Sequence, residues 1–201
     1  VEDLSSEVEP KFHKDYLCSA PELGTVCGKT KQTTCVEGKD EVYFVDSCGN
    51  IANIYDAGKI DDQAYWTKIV KKEDSCGAGQ SNANSANCGN CGYFLGSIGR
   101  LYSRTEDSRR PSYGNYICRD LRCKDENGRK RMNGESWCVY DKKGKDVVGS
   151  QHFKKSCFMG EITIETCSDF RAQQCIENIM ETEQGEFSTA SCVANRWQNC
   201  I

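Results

Sequence analysis

The sequence predicts a disulfide-rich α+β protein, with short antiparallel β-meanders in two small lobes and two C-terminal helices. Three observations predict it. Fifteen cysteines are spread along 201 residues, a density approaching that of a disulfide scaffold. Short β-rich runs bounded by Gly, Asn and Asp turns occur once in each half. Two segments near the C-terminal end space their apolar residues at a helical period.

Residues 1–17 are an acidic lead-in without periodicity, expected to be a flexible arm. Residues 18–110 are expected to form a cysteine-rich β lobe with long loops. There "QTTCV" (32–36) and "EVYFVD" (41–46) flank the turn "EGKD", and "SCGN" turns the chain into "IANIYD" (51–56), an antiparallel meander. "DDQAYWTKIVKK" (61–72) and "YFLGSIGRLYS" (93–103) each fit a short helix or a strand, and 76–92 reads as a Gly/Asn/Ser-rich loop. The polar run "RTEDSRRPSYGN" (104–115) supplies the division between the lobes.

Residues 111–201 are expected to be a meander plus two helices. "SWCVYD" (136–141), the turn "KKGK", "VVGSQHFKKSCF" (147–158), a turn at Met159-Gly160 and "EITIETC" (161–167) repeat the outline of the first half. Cys35/Cys48 and Cys138/Cys157 hold matching places in it, which suggests a duplicated meander. In "SDFRAQQCIENIME" (168–181), Ser168 or Asp169 can cap a helix whose Ala172, Cys175, Ile176, Ile179 and Met180 share one face. In "STASCVANRWQNC" (188–200), Ser188 can cap a second helix, with Ala190, Val193, Ala194 and Trp197 as its stripe.

Composition narrows the compartment and the partners. Disulfides do not persist in a reducing cytosol, so an extracellular or cell-surface location is expected. Only 37% of residues are hydrophobic and the mean hydropathy is −0.68. So thin a core is offset by bridges worth roughly 2–4 kcal/mol each. A formal charge of −4 gives no electrostatic case for nucleic acid. No apolar run is long enough to span a bilayer. The opening "VEDLSSEVEP" is what a processed chain or an excised fragment would show.

The stretch "CGAGQSNANSANCGNC" (76–91) holds the one C-x-x-C pair. Haem attachment needs His after the second Cys, and Gly92 stands there. A redox pair would open a helix, and the flanks here are loop. Zinc would need Cys76, Cys88 and Cys91 to recruit Cys118 or Cys123. Structural bridges to partners elsewhere are the preferred reading, with no metal and no cofactor. All fifteen cysteines are bridge candidates: Cys18, Cys27, Cys35, Cys48, Cys76, Cys88, Cys91, Cys118, Cys123, Cys138, Cys157, Cys167, Cys175, Cys192 and Cys200. The expected pairs are Cys35–Cys48, Cys138–Cys157, Cys192–Cys200 and Cys167–Cys175. An odd count leaves at least one thiol free, metal-bound or joined to another chain. Cys175 is one candidate for a buried free thiol.

Catalytic machinery is sparse. His13 lies in the arm and His152 in a strand; a Cys–His pair would need the free thiol beside His152. Glu161 and Glu165 share a strand face about 13 Å apart, too far for an acid/base pair. "DENG" (125–128) begins like a calcium loop, but Arg129 and Lys130 follow where acids are needed, so it reads as a turn. "SRRP" (108–111), "GRKR" (128–131) and "HFKK" (152–155) are basic clusters interrupted by acids, read as solvated faces.

"VDSCGNIANIYD" (45–56), "NGESWCVYD" (133–141), "VGSQHFKKSC" (148–157), "CSDFRAQQC" (167–175) and "CVANRWQNC" (192–200) together resemble uncharacterised cysteine-rich secreted proteins predicted from archaeal genomes. The resemblance implies a cell-surface or extracellular protein and transfers no catalytic residue.

The resulting expectation is an extracellular structural protein, a subunit of a cell-surface filament or assembly, partnered by itself or by other surface proteins. It is not expected to be an enzyme. The rivals are a secreted monomeric binding, adhesion or inhibitor module, and a secreted hydrolase built around His152.

Overall fold

The structure, a computed structural model, describes residues 13–76, 85–94, 96–142, 145–169, 172–182 and 185–195. Among the described residues twelve strands form five small antiparallel sheets. The only helical elements among the described residues are single 3-10 turns.

The first sheet is the meander β1 (Gln32–Cys35), β2 (Val42–Val45), β3 (Ile51–Ile54). The alternation in "EVYFVD" sends Val42 and Phe44 to one face, where both are fully buried. There they pack with Tyr55, Ile60, Tyr65, Trp66, Cys91 and Cys118, the largest apolar core among the described residues. In place of a helix or strand, residues 61–72 hold the 3-10 turn Ala64–Trp66, which puts Tyr65 and Trp66 into this core, and the start of another at Lys72. Trp66 Nε1 donates to the Ile60 carbonyl at 3.0 Å, so the ring is buried with its N–H satisfied. Strands β4 (Ser97–Leu101) and β5 (Tyr116–Asp120) form a hairpin beside the meander. Residue 110, where the sequence suggested a division, lies in the loop of that hairpin.

β6 (Cys123–Lys124) and β7 (Lys130–Arg131) make a short ribbon around the "DENG" turn. A second meander follows: β8 (Ser136–Tyr140), β9 (His152–Phe158), β10 (Glu161–Thr166). β9 starts at His152, so 147–151 of the expected strand is loop. Residues 1–12 of the expected arm lie outside the described residues. Its end is docked: Leu17 is buried and its amide donates to the Thr67 carbonyl at 3.0 Å.

The two C-terminal helices are absent, and this corrects the α+β expectation to a mostly β fold. In their place stand β11 (Gln173–Thr182) and β12 (Gly185–Ala194), paired from Gln173↔Ala194 to Thr182↔Gly185. Bridges override the helical spacing. Cys175 and Cys192 sit directly opposite each other and bond to Cys138 and Cys167, which extended strands permit. β-branched Ile176, Ile179, Thr182, Thr189 and Val193 suit the extended chain. Ser188 is no helix cap; it is buried, and Glu135 accepts from its amide at 3.0 Å. Most of residues 196–201, including Trp197 and Cys200, would have belonged to the second helix and lie outside the described residues.

Candidate functional site

Among the described residues six bridges are formed: Cys27–Cys48, Cys76–Cys88, Cys91–Cys118, Cys123–Cys157, Cys138–Cys175 and Cys167–Cys192. The C-x-x-C pair is thereby split, Cys88 going to one bridge and Cys91 to another. The would-be zinc ligands fall into three separate bridges, so none of them offers a thiolate. The expected pairs Cys35–Cys48, Cys138–Cys157 and Cys167–Cys175 are not made. Both meander pairs would have joined strands one hairpin apart. Instead each of Cys48, Cys157 and Cys138 reaches outside its own meander, where it fastens a separate segment. Cys175 is bridged, so it is not the free thiol. Cys192 bonds to Cys167, and Cys200 lies outside the described residues.

Cys18, exposed, and Cys35, partly buried, are the free thiols among the described residues. Burial pushes the Cys35 thiol up to about 12, which keeps it protonated and unreactive. Cys27, Asp46 and Cys48 place ligand-type atoms within 4.8 Å of one another, but the two sulfurs are bonded together. Asp46 Oδ1 accepts the amides of Cys48 at 2.9 Å and Asn50 at 2.8 Å, which closes the β2–β3 turn.

His152 is buried and both ring nitrogens are engaged. Nδ1 accepts the Cys175 amide at 3.1 Å, so Nε2 carries the proton and faces Asp146 Oδ1 at 3.2 Å. The nearby Cys175 sulfur is in a bridge, so no Cys–His pair is assembled. Glu161 and Glu165 lie exposed on β10, Glu165 in an ion pair with Lys154. His13 sits in an exposed turn.

Acids disperse two of the three basic clusters, 128–131 and 152–155. Arg129 pairs with Glu186 at 3.3 Å and Lys155 with Glu126 at 3.1 Å. Arg131 turns inward to Asp125 at 3.1 Å, its guanidinium stacked 4.6 Å from the Trp137 ring centre. "DENG" is a turn, with Asp125 Oδ1 accepting the amides of Asn127 and Arg129.

Sequence reasoning missed a cleft of about 400 Å³ at the base of the β4–β5 hairpin, where Gly160 also reaches. Arg100, Arg119 and Arg122 line it against Glu106, Asp107 and Asp120. Arg100 pairs with Asp107 at 2.8 Å and Glu106 at 3.2 Å. Arg122 chelates Asp120 through Nε at 2.9 Å and Nη2 at 2.6 Å. Burial would raise the Asp120 carboxyl; the Arg122 side chain and amide outweigh it and hold it below its ordinary value. The lining charges cancel, which suits a polar ligand better than a strongly charged one. The run "CRDLRC" (118–123) carried the signal, two arginines flanking an acid on one strand end.

A second missed feature is the outer face of the β11–β12 hairpin. The pleat puts Gln174, Ile176, Asn178 and Met180 on it from β11, opposite Val193, Ser191, Thr189 and Phe187 of β12. None of the eight is charged, in a chain with 28% charged residues. Ile176, Met180 and Val193 are exposed on it. At one end Phe187 joins Met132 and the exposed Phe94 around a hollow of about 190 Å³. Counting residues at a period of two rather than 3.6 would have found this face in the sequence.

No helix among the described residues is long and apolar enough to cross a membrane, and this, with six bridges, fits a secreted or extracellular protein. Comparison with protein-family models, curated proteins and solved structures finds no match, and nothing in them carries the archaeal resemblance.

Proposed function

We propose that the chain is an extracellular structural protein that assembles with copies of itself, as a subunit of a cell-surface filament or surface layer, and that it is not an enzyme. The observation that carries the reading is the uncharged outer face of β11–β12. Soluble β proteins guard long strands with charges, and ten-residue strands without one on the outer face favour sheet-to-sheet contact. Beyond Cys175, no third strand joins β11 among the described residues. The bridges keep the subunit shape fixed outside the cell, and the exposed Cys18 thiol is available for a covalent link between copies.

The test is light scattering on purified protein across a concentration series, with and without reductant. Assembly that is abolished by Ile176→Lys/Met180→Lys supports the reading. A monomer at the highest soluble concentration sinks it. A second reading, a monomeric binding module, is favoured by the arginine-lined cleft; there the protein would stay monomeric and bind a polar ligand in a manner lost on Arg119→Ala.

A further inference from the structure

Two stretches of the chain carry the same framework. Cys27–Cys48 ties the segment ahead of β1 to the turn that follows β2, and Cys123–Cys157 ties the segment ahead of β8 to the last turn-side residues of β9. Cys91–Cys118 fastens the lead-in of hairpin β4–β5 to its second strand, and Cys167–Cys192 does the same for β11–β12. Each hairpin follows a three-stranded meander of the same order.

The agreement reaches single hydrogen bonds. Counted from Cys91 and Cys167, the next amide is accepted by the sixth side chain: Gly92 to Ser97 at 3.0 Å, Ser168 to Gln173 at 2.9 Å. The fifth amide donates to the second carbonyl: Gly96 to Tyr93 and Ala172 to Asp169, both 3.0 Å. That same fifth carbonyl accepts the amide three residues past the hairpin cysteine: Leu121 to Gly96 at 2.6 Å, Asn195 to Ala172 at 2.8 Å. Chance similarity of short strands does not reproduce side-chain and backbone bonds at fixed offsets. The two meanders are not identical: β2–β3 carries a register irregularity that β9–β10 lacks, the ribbon β6–β7 has no counterpart ahead of β1, and residues 55–90, with the extra bridge Cys76–Cys88, have none between β10 and Cys167.

One pair breaks the symmetry. Cys175, eight residues after Cys167 and opposite Cys192, bonds to Cys138. At the equivalent place, eight residues after Cys91 and opposite Cys118, stands Gly99. The equivalent of Cys138 is Cys35, which is free. The Cys35 sulfur lies against Gly99, where a Cβ would overlap it. The amides agree as well: Gly99 donates to the Asp40 carbonyl at 2.7 Å, and Cys175 to the His152 ring at 3.1 Å. Asp40 and His152 each precede by two the residue that pairs with Cys35 or Cys138.

We propose that the chain is a tandem pair of one three-bridge unit, and that Cys35 and Gly99 mark a vacated disulfide site in the first. The unpaired Cys35 thiol is thus the remainder of an internal bridge and not a contact to another chain. The first hairpin is held to its meander by packing, where the second is clamped covalently.

Gly99→Cys tests this. In a glutathione redox buffer the two thiols give up two protons and two electrons to oxidised glutathione, which leaves as two reduced molecules. The expected result is a Cys35–position 99 bridge in a non-reducing peptide map, one alkylatable thiol fewer than in the wild type, and six unchanged bridges. A folded variant in which Cys35 still alkylates on denaturation overturns the proposal. Should this variant fail to fold, Cys175→Gly makes the second unit like the first: it should keep five bridges and bury Cys138 as a slow-reacting thiol. Loss of the Cys123–Cys157 and Cys167–Cys192 bridges in that variant, or a wild-type map in which Cys35 is paired, overturns it too.

Discussion

Glu135 accepts two hydrogen bonds from Ser188, the amide at 3.0 Å and the hydroxyl at 3.1 Å, joining the turn before β8 to the last strand. Its other oxygen accepts the Met132 amide. Both residues are buried, and Arg131 Nη1 adds a bond to the Ser188 hydroxyl at 3.1 Å. Glu135→Ala would strand three donors and leave Arg131 less well neutralised. It should cost about 3 kcal/mol of stability, against about 1 kcal/mol for Ser188→Ala, which removes only the hydroxyl. Urea unfolding with bridges intact measures both; equal effects would mean that the carboxylate has no special part in holding the hairpin.

Acid should loosen the second half through the same network. Burial would raise the Asp125 carboxyl; the Arg129 amide, the Arg131 guanidinium and the Asn127 amide outweigh it and set it below its ordinary value. A depressed carboxyl stabilises fully above its unfolded value, about 3.9, and the contribution is lost as pH falls through the folded value. Tm should therefore fall as pH is lowered from about 5 to about 2, and Asp125→Asn should flatten that fall. A variant with the wild-type acid slope would place the titration elsewhere, for example at Asp120 beside Arg122.

Local patterning made the meanders legible. Val42 and Phe44 alternate inward as the sequence indicated, and the Gly-containing turns fall where expected, Gly49 and Gly160 at positive φ. The hairpin β11–β12 was not legible because Ile176, Ile179 and Met180 satisfy a helical stripe, while in the strand Ile179 lies on the face opposite to Ile176 and Met180 and no apolar alternation marks it. What decides between them is non-local: Cys138 and Cys167 capture Cys175 and Cys192, and spacing does not encode that. The arginine cleft was hidden for the same reason, since Arg100 and Arg119 become neighbours only through the β4–β5 register.

The bridges should differ in worth. Cys138–Cys175 joins residues 37 apart and lies in a core made of little besides cysteine and Ala190. Cys76–Cys88 joins residues 12 apart. Loop-closure entropy alone gives about 4 kcal/mol for the first and about 3 kcal/mol for the second. The paired change Cys138→Ala/Cys175→Ala also opens a cavity under the hairpin, so the measured gap should exceed about 1 kcal/mol. Hydrogen exchange should then show β11 and β12 opening before β1–β3. If the Cys76→Ser/Cys88→Ser protein is the less stable of the two, the long loop and not the hairpin is the weak point of the fold.

The two free thiols among the described residues should separate kinetically. Cys18 is exposed, while Cys35 lies partly buried beside Gly99 with its thiol pushed up to about 12 by burial. Cys18 is open to solvent and should react readily with iodoacetamide at pH 8. Cys35 should react more slowly by at least about 100-fold, through opening of the β1–β4 contact. Gly99→Ala crowds the sulfur and should speed Cys35 alkylation while leaving Cys18 unchanged. Timed alkylation followed by peptide mass analysis reads both sites in one sample. Equal rates in the wild type would show that Cys35 is solvent-accessible and that its environment is not the one its contacts with Gly99 describe.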